Sequence, residues 1–134
     1  MPERRFTRAE ADDALQHVRP LAQQMVEHRR TLRALQERQR KLVLRIASNG
    51  GDLTPTDVST VQAELEREAE ALRECVVAIE SVGAIVKDLD TGLVDFPSER
   101  DGEPVLLCWQ VGEERIAYYH GEQDGFAGRK PLDD

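Results

Sequence analysis

Seven side chains toward the carboxyl end, Asp88, Asp90, Asp95, Cys108, Glu113, His120 and Asp124, carry the donor types that hold metals and move protons. Transition metals take thiolate, imidazole and carboxylate donors, which makes Asp95, Cys108, Glu113 and His120 the candidate metal set. These residues lack the close spacing of HExxH, CxxC or HxxxH motifs, so strand pairing would have to assemble any site. Asp88 and Asp90 share a side of an extended segment, as a general acid and base would require. Aspartates in turns, however, usually accept hydrogen bonds from their own backbone. Gly125-Phe126-Ala127-Gly128-Arg129 could wrap a small anion, with Arg129 holding a phosphate or carboxylate, but it lacks the P-loop spacing and a following helix. The wider ligand-binding candidates are Asp88, Asp95, Trp109, Glu113, His120 and Arg129.

Short strand-like runs must position these groups. Ala84–Lys87, Leu93–Pro97, Val105–Gln110 and Arg115–His120 are separated by the turn-forming clusters Asp88–Gly92, Asp101-Gly102 and Val111–Glu114, so three or four antiparallel strands are expected. A two-residue hairpin centred on Gly112-Glu113 puts His120 near Val105 and does not by itself bring Cys108 beside His120. A sheet this small needs a packing partner.

The preceding 83 residues supply one. Thr7 with Glu10 three positions later is a capping box, and Phe6 can pack on Ala11 as its staple. Val18, Leu21, Met25, His28, Leu32, Leu35, Gln39, Leu42 and Ile46 then recur at three- and four-residue steps, a coiled-coil-like seam. Pro20 predicts a kink or a break. After the Ser48–Asp52 loop, Thr54 as N-cap and Pro55 at the first helical position start a second helix. Its seam is Val58, Val61, Leu65, Glu68, Leu72, Cys75, Ile79 and Val82, and Gly83 ends it. Helices over about 8–47 and 55–82 joined by a short loop make an antiparallel hairpin. Reflection about the loop sets His28, one of the two polar breaks in the seams, near Cys75. Val26, Val43, Leu44, Val76 and Val77 form a second apolar strip. Two hairpins burying it would make a four-helix homodimer.

Charge is distributed as unevenly as structure. Residues 1–49 sum to +5, residues 50–83 to −6 and residues 84–134 to −7. The basic first helix therefore has an acidic neighbour to pair with, which makes nucleic acid a poor partner. No apolar run approaches the roughly 18 residues of a membrane span, and the amino terminus lacks a signal-peptide core. Two cysteines do not make a disulfide scaffold, and a cytoplasmic location is expected.

Lys87–Pro97, Leu107-Cys108-Trp109, Gly112-Glu113, His120 and Gly125–Arg129, together with Asn49-Gly50-Gly51 and Val18–Leu21, resemble an uncharacterised bacterial family, domain of unknown function 2203. Tyr119-His120 stands where family members often have Trp-His, and Glu114 where proline is common. The resemblance implies a bacterial origin and supplies no reaction. The fold class expected is α+β, mainly α: a long helical hairpin over 1–83 and a small β tail with a C-terminal loop over 84–134. The leading functional expectation is a non-enzymatic, self-associating protein whose tail offers a surface to a protein partner, with Trp109, Tyr118, Tyr119 and Phe126 at or just beneath it. No cofactor is predicted. The alternative is a divalent-metal or small-anion site in the tail, with hydrolytic chemistry open to it.

Overall fold

The computed structural model describes residues 4–49 and 55–133. Two helices, α1 (Arg8–Asn49) and α2 (Pro55–Ser81), form an antiparallel hairpin. An antiparallel sheet follows: β1 (Ile85–Asp88), β2 (Leu93–Arg100), β3 (Glu103–Trp109), β4 (Tyr118–Gly121) and β5 (Lys130–Pro131), in the order β1-β2-β3-β4-β5. The fold is α+β and mainly α. A 3-10 turn at Phe126–Gly128 precedes β5, which the sequence pattern had not marked as a strand. Among the described residues no helix is long and apolar enough to cross a membrane.

The capping box forms as the sequence requires. Thr7 N–H donates to Glu10 Oε1 at 2.8 Å, and Glu10 N–H to Thr7 Oγ1 at 3.1 Å. The bond from the Thr7 amide first, and then the Thr7 side chain, hold the Glu10 carboxyl below its ordinary range. Phe6 and Ala11 both enter the core, and Phe6 meets the Phe96 ring edge-on at 5.4 Å. α1 runs through Pro20 without a break. The loop after α1 and the Thr54 cap lie outside the described residues.

The seams close over most of their length. Val18, Met25, Leu32 and Leu35 pack with Val61, Leu65, Leu72, Cys75 and Ile79. At the far end Ile46 and Val58 are exposed, where both had been expected to be covered. Between the helices His28 Nδ1 meets Glu68 Oε2 at 2.6 Å, so the two polar breaks pair with each other and not with Cys75. The expected matching of basic α1 with acidic α2 is also redirected. Arg29 and Arg33 both bind the Asp90 carboxylate in the β1–β2 turn, at 3.2 and 2.9 Å, and Arg19 donates to the backbone carbonyls of Glu113 and Glu114. The first helix thus uses its arginines to hold the sheet.

One sheet face packs on the hairpin through Val94, Phe96, Leu107 and Trp109, with Ile116 beside them. Gly92, at φ +70°, lets the β1–β2 turn press on α1; a Cβ there would collide with Val111 Cγ2 and lie 2.9 Å from Val26 Cγ2. Pro97 sits inside β2 at no cost to pairing, because short β1 ends before reaching it. Its carbonyl on that side accepts the Phe6 amide at 2.7 Å.

Candidate metal centre

Alternation along β2 and β3 decides what the opposite sheet face carries. Val94 and Phe96, Leu107 and Trp109 point to the hairpin, so Asp95 and Cys108 point away from it. The register sets Asp95 directly across from Cys108 and Leu106 directly across from His120. His120 therefore shares a face with Cys108, as its diagonal neighbour. The tight hairpin expected from Gly112-Glu113 sets His120 across from Val105 instead. The observed register is one residue away from that, and a one-residue slip moves every side chain of a strand to the other face. The cause lies between β3 and β4. Residues 110–117 form a wider connection, in which the Glu113 amide bonds Gln110 O at 3.1 Å and Ile116 drops into the core.

Asp95, Cys108 and His120, one from each of three adjacent strands, meet in consequence. A carboxylate oxygen, the thiol sulfur and a ring nitrogen all lie within 4.8 Å of one another, and the three residues are 1%, 0% and 3% exposed. His120 Nδ1 lies 2.8 Å from the Gly121 carbonyl oxygen, which can only accept, so Nδ1 carries a hydrogen. Nε2 then faces Asp95 Oδ2 at 3.1 Å. A lone pair on each atom would repel, so a proton or a metal ion must lie between them. The other carboxylate oxygen, Asp95 Oδ1, is buried and meets no donor in hydrogen-bond geometry among the described residues, although the Cys108 thiol interacts with the same carboxylate. Such an orphan costs about 1–3 kcal/mol.

Cys108 takes its character from the same surroundings. Burial first, and then the negative charge of Asp95, push its thiol up from 9.0 to about 12, while the nearby Arg129 guanidinium pulls the other way. Without a metal the group is a thiol at neutral pH. Arg129 lies beside it: Nη2 donates to Glu113 Oε1 at 2.8 Å and to Cys108 O at 3.4 Å, and its Nε is buried without a partner. Two buried unpartnered polar atoms, one on an acid and one on a base, thus flank one cysteine.

The remaining candidates go elsewhere. Glu113 joins Arg129 and caps the Gln110 amide, so it is not in the metal cluster. Asp88 Oδ1 accepts the Asp90 amide at 2.8 Å in a turn, and Asp90 is held by Arg29 and Arg33; these are turn-forming roles. Asp124 accepts the Gly121 amide. Trp109 is fully buried, its Nε1 donating to Glu113 O at 2.9 Å, so it belongs to the core and presents no surface. Phe126, which could have docked in the core, is 48% exposed and stacks on Arg129, whose other ring neighbour is Tyr118.

A separate cleft of 510 Å³ lies at the start of α1, away from these donors, and gathers Arg5, Arg8 and Arg100. Those arginines are already engaged: Arg5 with Glu99 at 3.7 Å, Arg8 with Ile116 O at 3.0 Å, and Arg100 over the Tyr119 ring.

The model of a family described as an uncharacterized conserved protein, domain of unknown function 2203, matches residues 4–132. The chain belongs to that family. No curated protein and no solved structure matches it.

Proposed function

We propose that this member of the family binds one transition-metal ion of the zinc class through Asp95, Cys108 and His120, and that the ion fastens three strands of the sheet. The observation that carries this reading is three unlike metal donors converging in a buried place where one carboxylate oxygen meets no donor in hydrogen-bond geometry. The surroundings support it. Metal-bound histidines characteristically donate their second ring N–H to a carbonyl or carboxylate, and His120 already does so to Gly121 O. A cation between Nε2 and the Asp95 carboxylate also removes the clash of lone pairs described above. Mixed oxygen, sulfur and nitrogen donors suit zinc better than magnesium or calcium, which prefer oxygen alone.

Two features bear on whether such an ion would be catalytic. Three protein ligands is the number found in catalytic zinc sites, where the fourth position takes water or substrate. Burial weighs on the other side, since a substrate has no way to donors that are at most 3% exposed. The closed site favours a structural ion over hydrolysis.

Zinc measured by mass spectrometry after reconstitution of metal-free protein should reach one ion per chain. Zinc at a hundredfold over its dissociation constant should add roughly 2.7 kcal/mol to stability. Cys108→Ser, His120→Ala and Asp95→Asn should each weaken binding at least about 100-fold, since even loss of an outer-shell partner costs 10- to 100-fold. Glu113→Ala should not. Reconstituted protein that holds no zinc, nickel or cobalt would refute the reading and leave the trio as a hydrogen-bonded structural cluster.

A further inference from the structure

The hairpin outruns the sheet. The hydrogen bonds from α1 to the tail run from Arg8 to Arg33, and beyond Leu35 no described residue of α1 is buried. At about 1.5 Å per residue, the stretch 36–49 extends some 20 Å past that support. Apolar side chains stand among its charges. Val43, Leu44 and Ile46 are 58%, 53% and 45% exposed, and Val58 across the hairpin is 41% exposed. Val43 and Leu44 lie one helical turn before Ala47, at i+4 and i+3, so the three form a strip on one side of α1.

Charge says what would cover this strip. Residues 36–49 hold Arg38, Arg40, Lys41 and Arg45 against Glu37, a surplus of +3, while residues 58–68 hold Glu64, Glu66 and Glu68 against Arg67, a surplus of −2. Among the described residues Arg40 turns to Glu37 on its own helix, and the ion pair between α1 and α2 is His28–Glu68, farther down. A second copy related by a two-fold axis sets each basic α1 end against the partner's acidic α2 end, and satisfies both at once because the contact is self-complementary. A head-to-tail stack satisfies one pair and leaves its mate open.

We infer that the distal end of the hairpin is a homodimer interface, in which a second copy of this chain packs antiparallel on the strip of Val43, Leu44 and Ala47 and matches α1 charge to α2 charge. This inference is independent of the metal centre, whose residues lie on the far side of the sheet from the hairpin. Association rests on apolar burial, and charge selects the orientation.

The test is the mass of the full chain by light scattering, with dissociation followed by dilution. Wild type should have twice the 15.1 kDa chain mass. Val43→Glu with Leu44→Glu should raise the dissociation constant at least about 30-fold, the loss expected on removing a hot spot. Helical circular dichroism should be unchanged. Val77→Glu, equally exposed but far along α2, should leave the dimer intact. Reversal of charge by Lys41→Glu with Arg45→Glu should dissociate the dimer, and Glu64→Lys with Glu66→Lys in the same chain should restore it. A wild-type monomer at all concentrations overturns the inference. So does a dimer that survives Val43→Glu/Leu44→Glu, or one that charge reversal weakens and the compensating pair does not rescue.

Discussion

The two ends of the hairpin use one pattern of apolar residues at three- and four-residue steps, and they differ in what lies against it. At the near end the seam of α1 and α2 is roofed by a sheet, and Phe6, Val18, Met25, Phe96, Leu107 and Trp109 share a continuous core. At the far end the same periodicity ends in Ile46 and Val58, both exposed, with arginines and lysine on one helix and carboxylates on the other. Periodicity makes a helix amphipathic, but burial requires a second surface. The near end has it within the chain, held by Arg19, Arg29 and Arg33. The sheet also shows this contrast between its faces: one is core, and the other gathers Asp95, Cys108 and His120.

The largest expected effect concerns Cys108, and it separates a buried donor from an ordinary thiol. With its thiol raised from 9.0 to about 12, alkylation of metal-free protein near neutral pH should be about a thousandfold slower than for an unperturbed cysteine, each unit being tenfold. The stability consequence has a definite sign. The folded chain keeps a proton that the unfolded chain releases above pH 9.0, so this contribution is intact below pH 9.0 and is lost as pH rises toward 12. Stability measured by chemical denaturation across that range should fall less steeply for Cys108→Ala than for wild type. Rapid labelling of native Cys108 at pH 7 would mean that the outer sheet face is open.

Core substitutions come next. Trp109→Ala removes a fully buried ring and should cost about 3–5 kcal/mol in chemical denaturation. Gly92→Ala should cost about 1–3 kcal/mol, since the new methyl meets Val111 and Val26 in a left-handed backbone. Both losses should be far larger than that of Val43→Ser, expected within about 0.5 kcal/mol under conditions where the chain is monomeric. If Val43→Ser costs a monomer as much as Gly92→Ala, the far end is not open in the single chain. Between these lies Thr7→Ala at about 1 kcal/mol, the usual value of a lost cap. The box itself should weaken in acid as Glu10 protonates, because a carboxyl held below its ordinary range supports folding only while ionised.

Much of this architecture is local and therefore legible in sequence. The Thr7–Glu10 box, both helices, the turn at Asp101-Gly102 and most of the seam follow from residue types a few positions apart. What depends on longer connections was not. His28 pairs with Glu68 and misses Cys75, because reflection about a loop does not fix the offset of two long helices. Asp95, Cys108 and His120 were each named as donors, but their meeting depended on one residue of register between β3 and β4. Half of the answer was available in advance. Val94 and Phe96, with Leu107 and Trp109, mark the core face by alternation, which already sends Asp95 and Cys108 to the other side together. The position of His120 was hidden by the widened 110–117 connection. Glu113, chemically as good a donor, was drawn off by Arg129.

Cobalt(II) titration of metal-free protein tests the central claim most directly, because a thiolate ligand to cobalt absorbs in the near ultraviolet and a compact four-coordinate site absorbs strongly in the visible. One equivalent should produce both bands, with the near-ultraviolet band lost in Cys108→Ser and zinc displacing cobalt in wild type. A flat spectrum, or a thiolate band that persists in Cys108→Ser, would contradict the account.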